Sequence, residues 1–269
     1  MKLKTLCSAA LVATILFGSA ASAFAENGDE KVLTSEGTIT YVEDNTPNPP
    51  VDPENPEEPV DPTDPVVPND DGGPLAVDAV TKLDFKTQKA VTTDQTYFAE
   101  QIEVFKTGVS DGTRGNYVQV TDKRLASPTE ERTGWTLSAK MTQQFTSGSV
   151  VLDGSTLTYT NPYIDGAGAD AQKPVLGSAA SNFELNESGN SVNVMGTADG
   201  TTGFGTWTIE FGSSAGVNGA DDTTGKANAA DENLIEDGSI SLFVPGNTVK
   251  TATAFTGKVL WTVAATPIS

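Results

Sequence analysis

Histidine is missing from the 269-residue chain, and cysteine occurs once, as Cys7. Without histidine there is no Ser-His-Asp or Cys-His triad, no imidazole acid–base group and no histidine-ligated zinc or haem. A single cysteine excludes an intrachain disulfide, an iron–sulfur cluster and a zinc site built from thiolates. The sequence therefore predicts no metal site of these kinds and no cofactor.

Positive charge is also scarce, because 16 Lys and Arg residues stand against 36 Asp and Glu residues, which gives a formal net charge of -20. Such a chain lacks the basic surface that follows nucleic-acid phosphates, so no nucleic-acid partner is expected. A pair of carboxylates could serve a glycosidase, but the acids after residue 75 mostly fall in turns such as Asp153-Gly154 and Asp199-Gly200. The sequence predicts no catalytic residues. The run Asp165 to Asp170 lacks the spacing of an EF-hand loop.

Residues 1–25 have the pattern of a secretory signal peptide. Lys2 and Lys4 precede an apolar run from Ala9 to Phe17, and small residues follow it. Cleavage is expected after Ala23 or Ala25. The run is shorter than the about 20 apolar residues that span a bilayer, so we expect a secreted protein with no membrane span in the mature chain.

Two acidic stretches follow the signal peptide. Residues 26–46 form an N-terminal extension in which Thr38 to Val42 alternates like one possible strand. Residues 47–74 form an acidic proline-rich segment whose period of three matches polyproline II. This pattern predicts a disordered or semi-rigid spacer without a core of its own. Its regularly spaced prolines are Pro47, Pro50, Pro53, Pro56, Pro59, Pro62, Pro65 and Pro68.

Residues 75–269 consist of short β-branched and aromatic runs separated by Gly, Asn, Asp and Pro. This pattern predicts an all-β chain folded as a single β-sandwich-like domain, with a β-barrel as the alternative. Only residues 227–235 resemble a weak helix. The ten predicted strands are residues 75–85, 100–106, 117–122, 135–145, 149–160, 183–185, 191–195, 205–211, 239–243 and 250–264.

Each tryptophan, Trp135, Trp207 and Trp261, stands in an alternating run. In Trp135-Thr136-Leu137 the first and third side chains point to one face of a strand, and Trp261-Thr262-Val263 repeats this geometry. Such tryptophans either belong to the core or form a ledge on which a sugar ring stacks. Spacing alone leaves both possibilities open.

The chain resembles the WxL-domain cell-surface proteins of Gram-positive bacteria, which carry two W-x-L motifs. GWTLSAKMTQQF supplies the first motif, and LWTVAATP at the C-terminus supplies the second, with Val263 in place of the usual leucine. GPLAVDAVTKLDFKTQKA and GTWTIEFG resemble the family as well. The resemblance implies non-covalent attachment to peptidoglycan and association with other surface proteins. It implies that the peptidoglycan-binding residues are Trp135, Thr136, Leu137, Trp261, Thr262 and Val263.

The last residues, Thr266 to Ser269, contain neither an LPxTG motif nor an apolar tail. We therefore expect a secreted protein held non-covalently at the cell wall, with peptidoglycan as its ligand. The alternative is an adhesin or surface-complex subunit whose main ligand is a partner protein or host matrix. A carbohydrate-active enzyme is the third class, which the turn positions of the acids disfavour.

Overall fold

A computed structural model describes residues 33–126, 131–217 and 221–268. The predicted signal peptide lies outside the described residues. The chain divides into two units, residues 1–40 and 41–269. In the first unit the described residues, 33–40, are exposed and have no regular structure. The strand predicted at Thr38 to Val42 does not form.

The second unit is built from β-strands, and its described residues hold one turn of 3-10 helix at Asp170–Gln172. The strands are β1 (Val51–Asp52), β2 (Asn55–Pro59), β3 (Val66–Pro68), β4 (Leu75–Thr81), β5 (Gln95–Phe98), β6 (Ile102–Lys106), β7 (Val109–Arg114), β8 (Asn116–Asp122), β9 (Thr136–Ser147), β10 (Val150–Val151), β11 (Thr156–Thr160), β12 (Pro162–Gly166), β13 (Val175–Leu176), β14 (Asn182–Leu185), β15 (Val192–Gly196), β16 (Gly205–Phe211), β17 (Lys226–Asn228), β18 (Asp231–Glu236), β19 (Ile240–Val244) and β20 (Thr256–Ala264). The predicted all-β class is confirmed. The weak helix predicted at 227–235 is instead the hairpin β17–β18.

Three antiparallel sheets make up most of this unit. The first has the order β12-β16-β8-β4-β3, and the third has the order β14-β11-β19-β5. The second is centred on β9, which pairs with β10, β15 and β20, while β13 pairs with β15. Hairpins β1–β2, β6–β7 and β17–β18 stand apart from them. No sheet of the described residues closes into the alternative barrel, so the sandwich-like arrangement holds.

One hydrophobic core joins the three sheets. Strand β16 contributes Trp207, Ile209 and Phe211, which alternate along it and all lie in the core cluster. The same cluster includes Trp135, which directly precedes β9, and Tyr159 from β11. Side chains from several sheets thus bury each other, as expected when each sheet has one apolar face.

The proline-rich segment is not the disordered or semi-rigid spacer that its composition predicts. Residues 47–68, here called the acidic arm, contain β1, β2 and β3, and β3 pairs with β4. The compact unit begins at Tyr41 rather than at Leu75. The Val51 backbone N–H donates a 2.8 Å hydrogen bond to Gln119 Oε1 on β8. The arm therefore covers the outer face of the first sheet.

A buried ion pair helps to hold this acidic segment, beside a hydrophobic cluster that buries Val60 and Val66 of the arm. Asp52 is fully buried, and its two carboxylate oxygens accept hydrogen bonds of 2.7 Å from Arg114 Nε and Nη2. Burial on its own would raise the pKa of Asp52, but the Arg114 guanidinium, the Glu54 N–H and Lys106 together outweigh it and hold that pKa below its usual value. Bidentate pairs of this kind are among the strong hydrogen bonds. Composition alone did not reveal this partner, which lies 62 residues away.

Asp78 on β4 provides a second anchor for the arm. Its Oδ1 accepts a 2.9 Å hydrogen bond from Asn48 Nδ2, and its Oδ2 accepts one of 2.5 Å from Thr121 Oγ1. Burial nevertheless raises the pKa of Asp78, because these neutral donors offset only part of the cost of removing its charge from water. The arm is thus joined to the sheet by polar contacts as well as by its prolines.

Glu210 on β16 gives the first prediction. Burial and the nearby carboxylates of Glu54 and Asp52 raise the pKa of Glu210 well above its usual value. The Gly115 N–H and the Arg114 guanidinium lower it by less. A raised carboxyl pKa means that the folded protein favours the neutral form of Glu210 more than the unfolded chain does. The resulting stabilisation is fully present below pH about 4, near the unfolded pKa, and is lost as the pH rises. We expect Glu210→Gln to raise the melting temperature at pH 7. In thermal scans near pH 4 the melting temperatures of Glu210→Gln and wild type should be the same. An equal difference between them at pH 4 and pH 7 would contradict the prediction.

Candidate functional site

The two WxL motifs lie side by side. Strands β9 and β20 pair antiparallel, so that Val263 is opposite Leu137 and Trp261 is opposite Ala139. Residues more than 120 positions apart are thereby brought into one two-strand unit. The sequence predicted a strand for each motif but not this pairing, because strand partners are not encoded in local alternation.

The first motif is buried. The Trp135 and Leu137 side chains have no exposed surface. The Trp135 indole N–H donates a 3.2 Å hydrogen bond to the Gly203 carbonyl, and its backbone N–H donates one of 3.2 Å to Thr197 Oγ1. Thr136 is also buried, and its hydroxyl donates to the Thr266 carbonyl at 2.8 Å. None of the three can contact a ligand without a structural change.

The second motif is less buried. The Trp261 ring lies edge-to-face against Tyr159, with ring centroids 5.9 Å apart, and 6.2 Å from the Phe211 centroid. Trp261 and Val263 remain partly exposed, while Thr262 is exposed. The second motif is thus the more accessible of the two, and the tryptophan rings of both contribute to the core.

Comparison with known proteins bears on this pair of motifs. A family model described as "WxL domain surface cell wall-binding" matches residues 28–267, which is most of the chain. The chain belongs to the WxL family. No curated protein and no solved structure matches it significantly. Membership places the protein among surface proteins that bind the cell wall, and the family is one of binding proteins rather than enzymes.

The WxL strands also have an outer face, turned away from the core. It consists of residues that alternate with the buried ones, and we call it the outer WxL face. Leu260, on this face, is 51% exposed and lies opposite Lys140. Thr262 lies opposite Ser138 in the same way. The face comprises Ser138, Lys140, Lys258, Leu260 and Thr262.

Charge separates the outer WxL face from the rest of the chain. Neither residues 132–152 nor residues 238–269 include any Asp or Glu, although the protein carries a net charge of -20. Lys140 and Lys258 are exposed. Neither lysine forms an ion pair within the described ranges. The face is therefore a cationic, hydroxyl-bearing surface on an acidic protein, a feature that motif spacing did not reveal.

Among the residues that the structure describes, no helix reaches the length and hydrophobicity needed to span a bilayer. No group of three or more Asp, Glu, His or Cys residues there is arranged to hold a metal ion.

Proposed function

We propose that this WxL protein is secreted and attaches non-covalently to the peptidoglycan of the cell wall through its WxL domain, without catalysing a reaction. The observation that carries the proposal is the pairing of the two WxL strands into one surface that lacks acidic residues. Direct contacts are assigned to the outer WxL face. The motif residues Trp135, Thr136, Leu137, Trp261 and Val263 contribute by holding the two strands in place, and Thr262 contributes from the exposed side.

Electrostatics supports this assignment. Peptidoglycan carries free carboxylates, so most of an acidic protein is repelled by it. Lys140 and Lys258 give the outer WxL face the opposite sign, and like-charge repulsion elsewhere then selects this face for contact. Hydroxyls of Ser138 and Thr262 add donors and acceptors for sugar hydroxyls and amides.

Sedimentation with purified peptidoglycan tests the proposal. Lys140→Glu and Lys258→Glu should each weaken binding of the mature protein by about fivefold, or about 1 kcal/mol, at low salt. Lys89→Glu is the matched control, because Lys89 is exposed and undergoes the same change of charge outside both motif strands. Added salt should weaken the wild type and affect the two glutamate variants less.

Two outcomes would contradict the proposal in different ways. Failure of the wild-type protein to sediment with peptidoglycan would exclude peptidoglycan as the ligand. Equal binding of the wild type, the two variants and the control would exclude the outer WxL face as the contact surface.

A partner protein or host matrix is the second candidate ligand, and the position of β20 favours it. Among the described strands β20 pairs only with β9, so no described strand is hydrogen-bonded to its other edge. An open edge is where an extended segment of another protein can add a strand. Binding to crude cell walls that is lost when their proteins are stripped would support this candidate over peptidoglycan.

A further inference from the structure

Phe204 is the exposed end of a loop that both buried tryptophans support. Residues 197–204, here called the Phe204 loop, connect β15 to β16, and Phe204 is 48% exposed. The Trp135 indole N–H donates to the Gly203 carbonyl at 3.2 Å. The Trp207 indole N–H donates to the next carbonyl, that of Phe204, at 3.3 Å. Two rigid core side chains thus fix consecutive peptide groups beneath an exposed ring.

Other bonds hold the rest of the loop. The Gly203 N–H donates to the Gln172 carbonyl at 2.7 Å. Gly203 has a φ of 72°, and a Cβ there would lie 2.4 Å from Thr197 Cγ2, so only glycine fits. Asp199 accepts hydrogen bonds from the Thr201 N–H at 2.8 Å and from its hydroxyl at 2.6 Å. A ligand on Phe204 would therefore meet a preorganised loop and would lose little affinity to ordering it.

Arg132 covers one face of the Phe204 ring. Its guanidinium carbon lies 4.7 Å from the ring centroid, and its Nη2 donates a 2.6 Å hydrogen bond to the Gly200 carbonyl. The arginine side chain is only 14% exposed, and its Nη1 lies 3.6 Å from the buried Asp122 carboxylate. Asp122 also forms a bidentate pair with Arg124, so the two arginines share one carboxylate and part of the Arg132 charge stays uncompensated. The exposed surface of Phe204 remains available beside it.

We propose that Phe204 is a stacking platform for an uncharged N-acetylated sugar ring of the wall glycan, an inference that rests on the proposed function. An aromatic ring binds the apolar C–H face of a sugar without needing a charge on the ligand. Asp199 carries the single charge of the Phe204 loop itself and is exposed, while Arg132 is largely buried, so an anionic polymer is disfavoured. Trp135 is then a positioning residue. Its side chain is fully buried, and it affects binding by holding the Phe204 loop in place.

The test uses the full mature protein and peptide-free glycan strands released from peptidoglycan by an amidase. Phe204→Ala should bind these strands at least about fivefold more weakly than wild type, with an unchanged melting temperature, whereas Phe204→Trp should retain binding. Leu234→Ala is the matched control, since Leu234 is similarly exposed, at 51%, on β18. Equal binding by Phe204→Ala and wild type would overturn the inference.

Trp135→Phe tests the positioning role, because it keeps an aromatic ring in the core but removes the N–H that holds Gly203. It should weaken glycan binding while the salt-sensitive binding assigned to Lys140 and Lys258 persists. A variant that loses both in equal proportion would indicate general unfolding and overturn the positioning role.

Failures of the two proposals are distinguishable. Wild-type protein that does not sediment with peptidoglycan contradicts the proposed function. Wild-type protein that sediments with peptidoglycan equally with and without Phe204, or whose dependence on Phe204 needs the peptide part, contradicts only the sugar platform.

Discussion

Trp135→Ala should lower the free energy of unfolding by about 3–5 kcal/mol, the usual cost of removing a large aromatic side chain from a core. Trp135 has no exposed surface, and its indole N–H and both of its backbone polar groups are hydrogen-bonded. Removing the side chain leaves a cavity at the start of β9 and leaves the Gly203 carbonyl without its donor. Chemical denaturation monitored by far-UV circular dichroism measures the effect.

Trp261→Ala is the comparison that makes this result informative. Trp261 is partly exposed and sits at the boundary of the aromatic cluster, so its loss should cost less than that of Trp135. Loss of wall binding by Trp135→Ala at an unchanged stability would contradict the buried position of Trp135 and favour a direct ligand contact. Similar losses of stability for both variants would contradict the different burial of the two motifs.

The sequence predicted strands well where alternation is local. Each of the ten predicted ranges overlaps an observed strand, including the three tryptophan runs. Polar or very short strands were missed, as in β7 (Val109–Arg114), and the hairpin β17–β18 was taken for a weak helix. Their pairing depends on partners elsewhere in the chain, which propensity does not encode.

At the candidate site, too, the sequence predicted the local pattern but not what each face of the strand contacts. Period-two alternation placed Trp135 and Leu137 on one face of a strand, and this face is the buried one. Whether that face met the core or a ligand depended on what covers it, which only the three-dimensional arrangement reveals. The cationic outer WxL face was missed for a related reason: Lys140 and Lys258 come to lie on one surface only when β9 and β20 pair.

The packing of the acidic arm was not predicted, because its composition does not reveal the residues that it contacts. A proline-rich segment with few apolar side chains has little hydrophobic surface to bury. Here it packs because Asp52 meets Arg114, because buried prolines such as Pro50 and Pro53 cover the first sheet, and because Val60 and Val66 are buried in a second hydrophobic cluster. Proline also reduces the entropy lost on folding, which lowers the cost of ordering such a segment.

Arg114→Ala should therefore release the acidic arm. It leaves Asp52 fully buried without its main counter-ion, and breaking a buried pair in this way costs about 3–5 kcal/mol. The arm contains Glu57 and Glu58, which are exposed, so cleavage by a glutamate-specific protease reports its detachment. Wild-type protein should be cut slowly there and the variant quickly.

The Lys82–Asp64 pair supplies a matched control, because it also joins the arm to the first sheet but both side chains are largely exposed. Lys82→Ala should cost less than about 1 kcal/mol and leave the cleavage rate nearly unchanged. Lowering the pH should reproduce the effect of Arg114→Ala, since the pKa of Asp52 is lowered on folding. Its contribution to stability is present above the unfolded pKa and is lost as pH falls through the folded one. Equal cleavage rates for wild type, Arg114→Ala and Lys82→Ala would mean that the ion pair does not hold the arm.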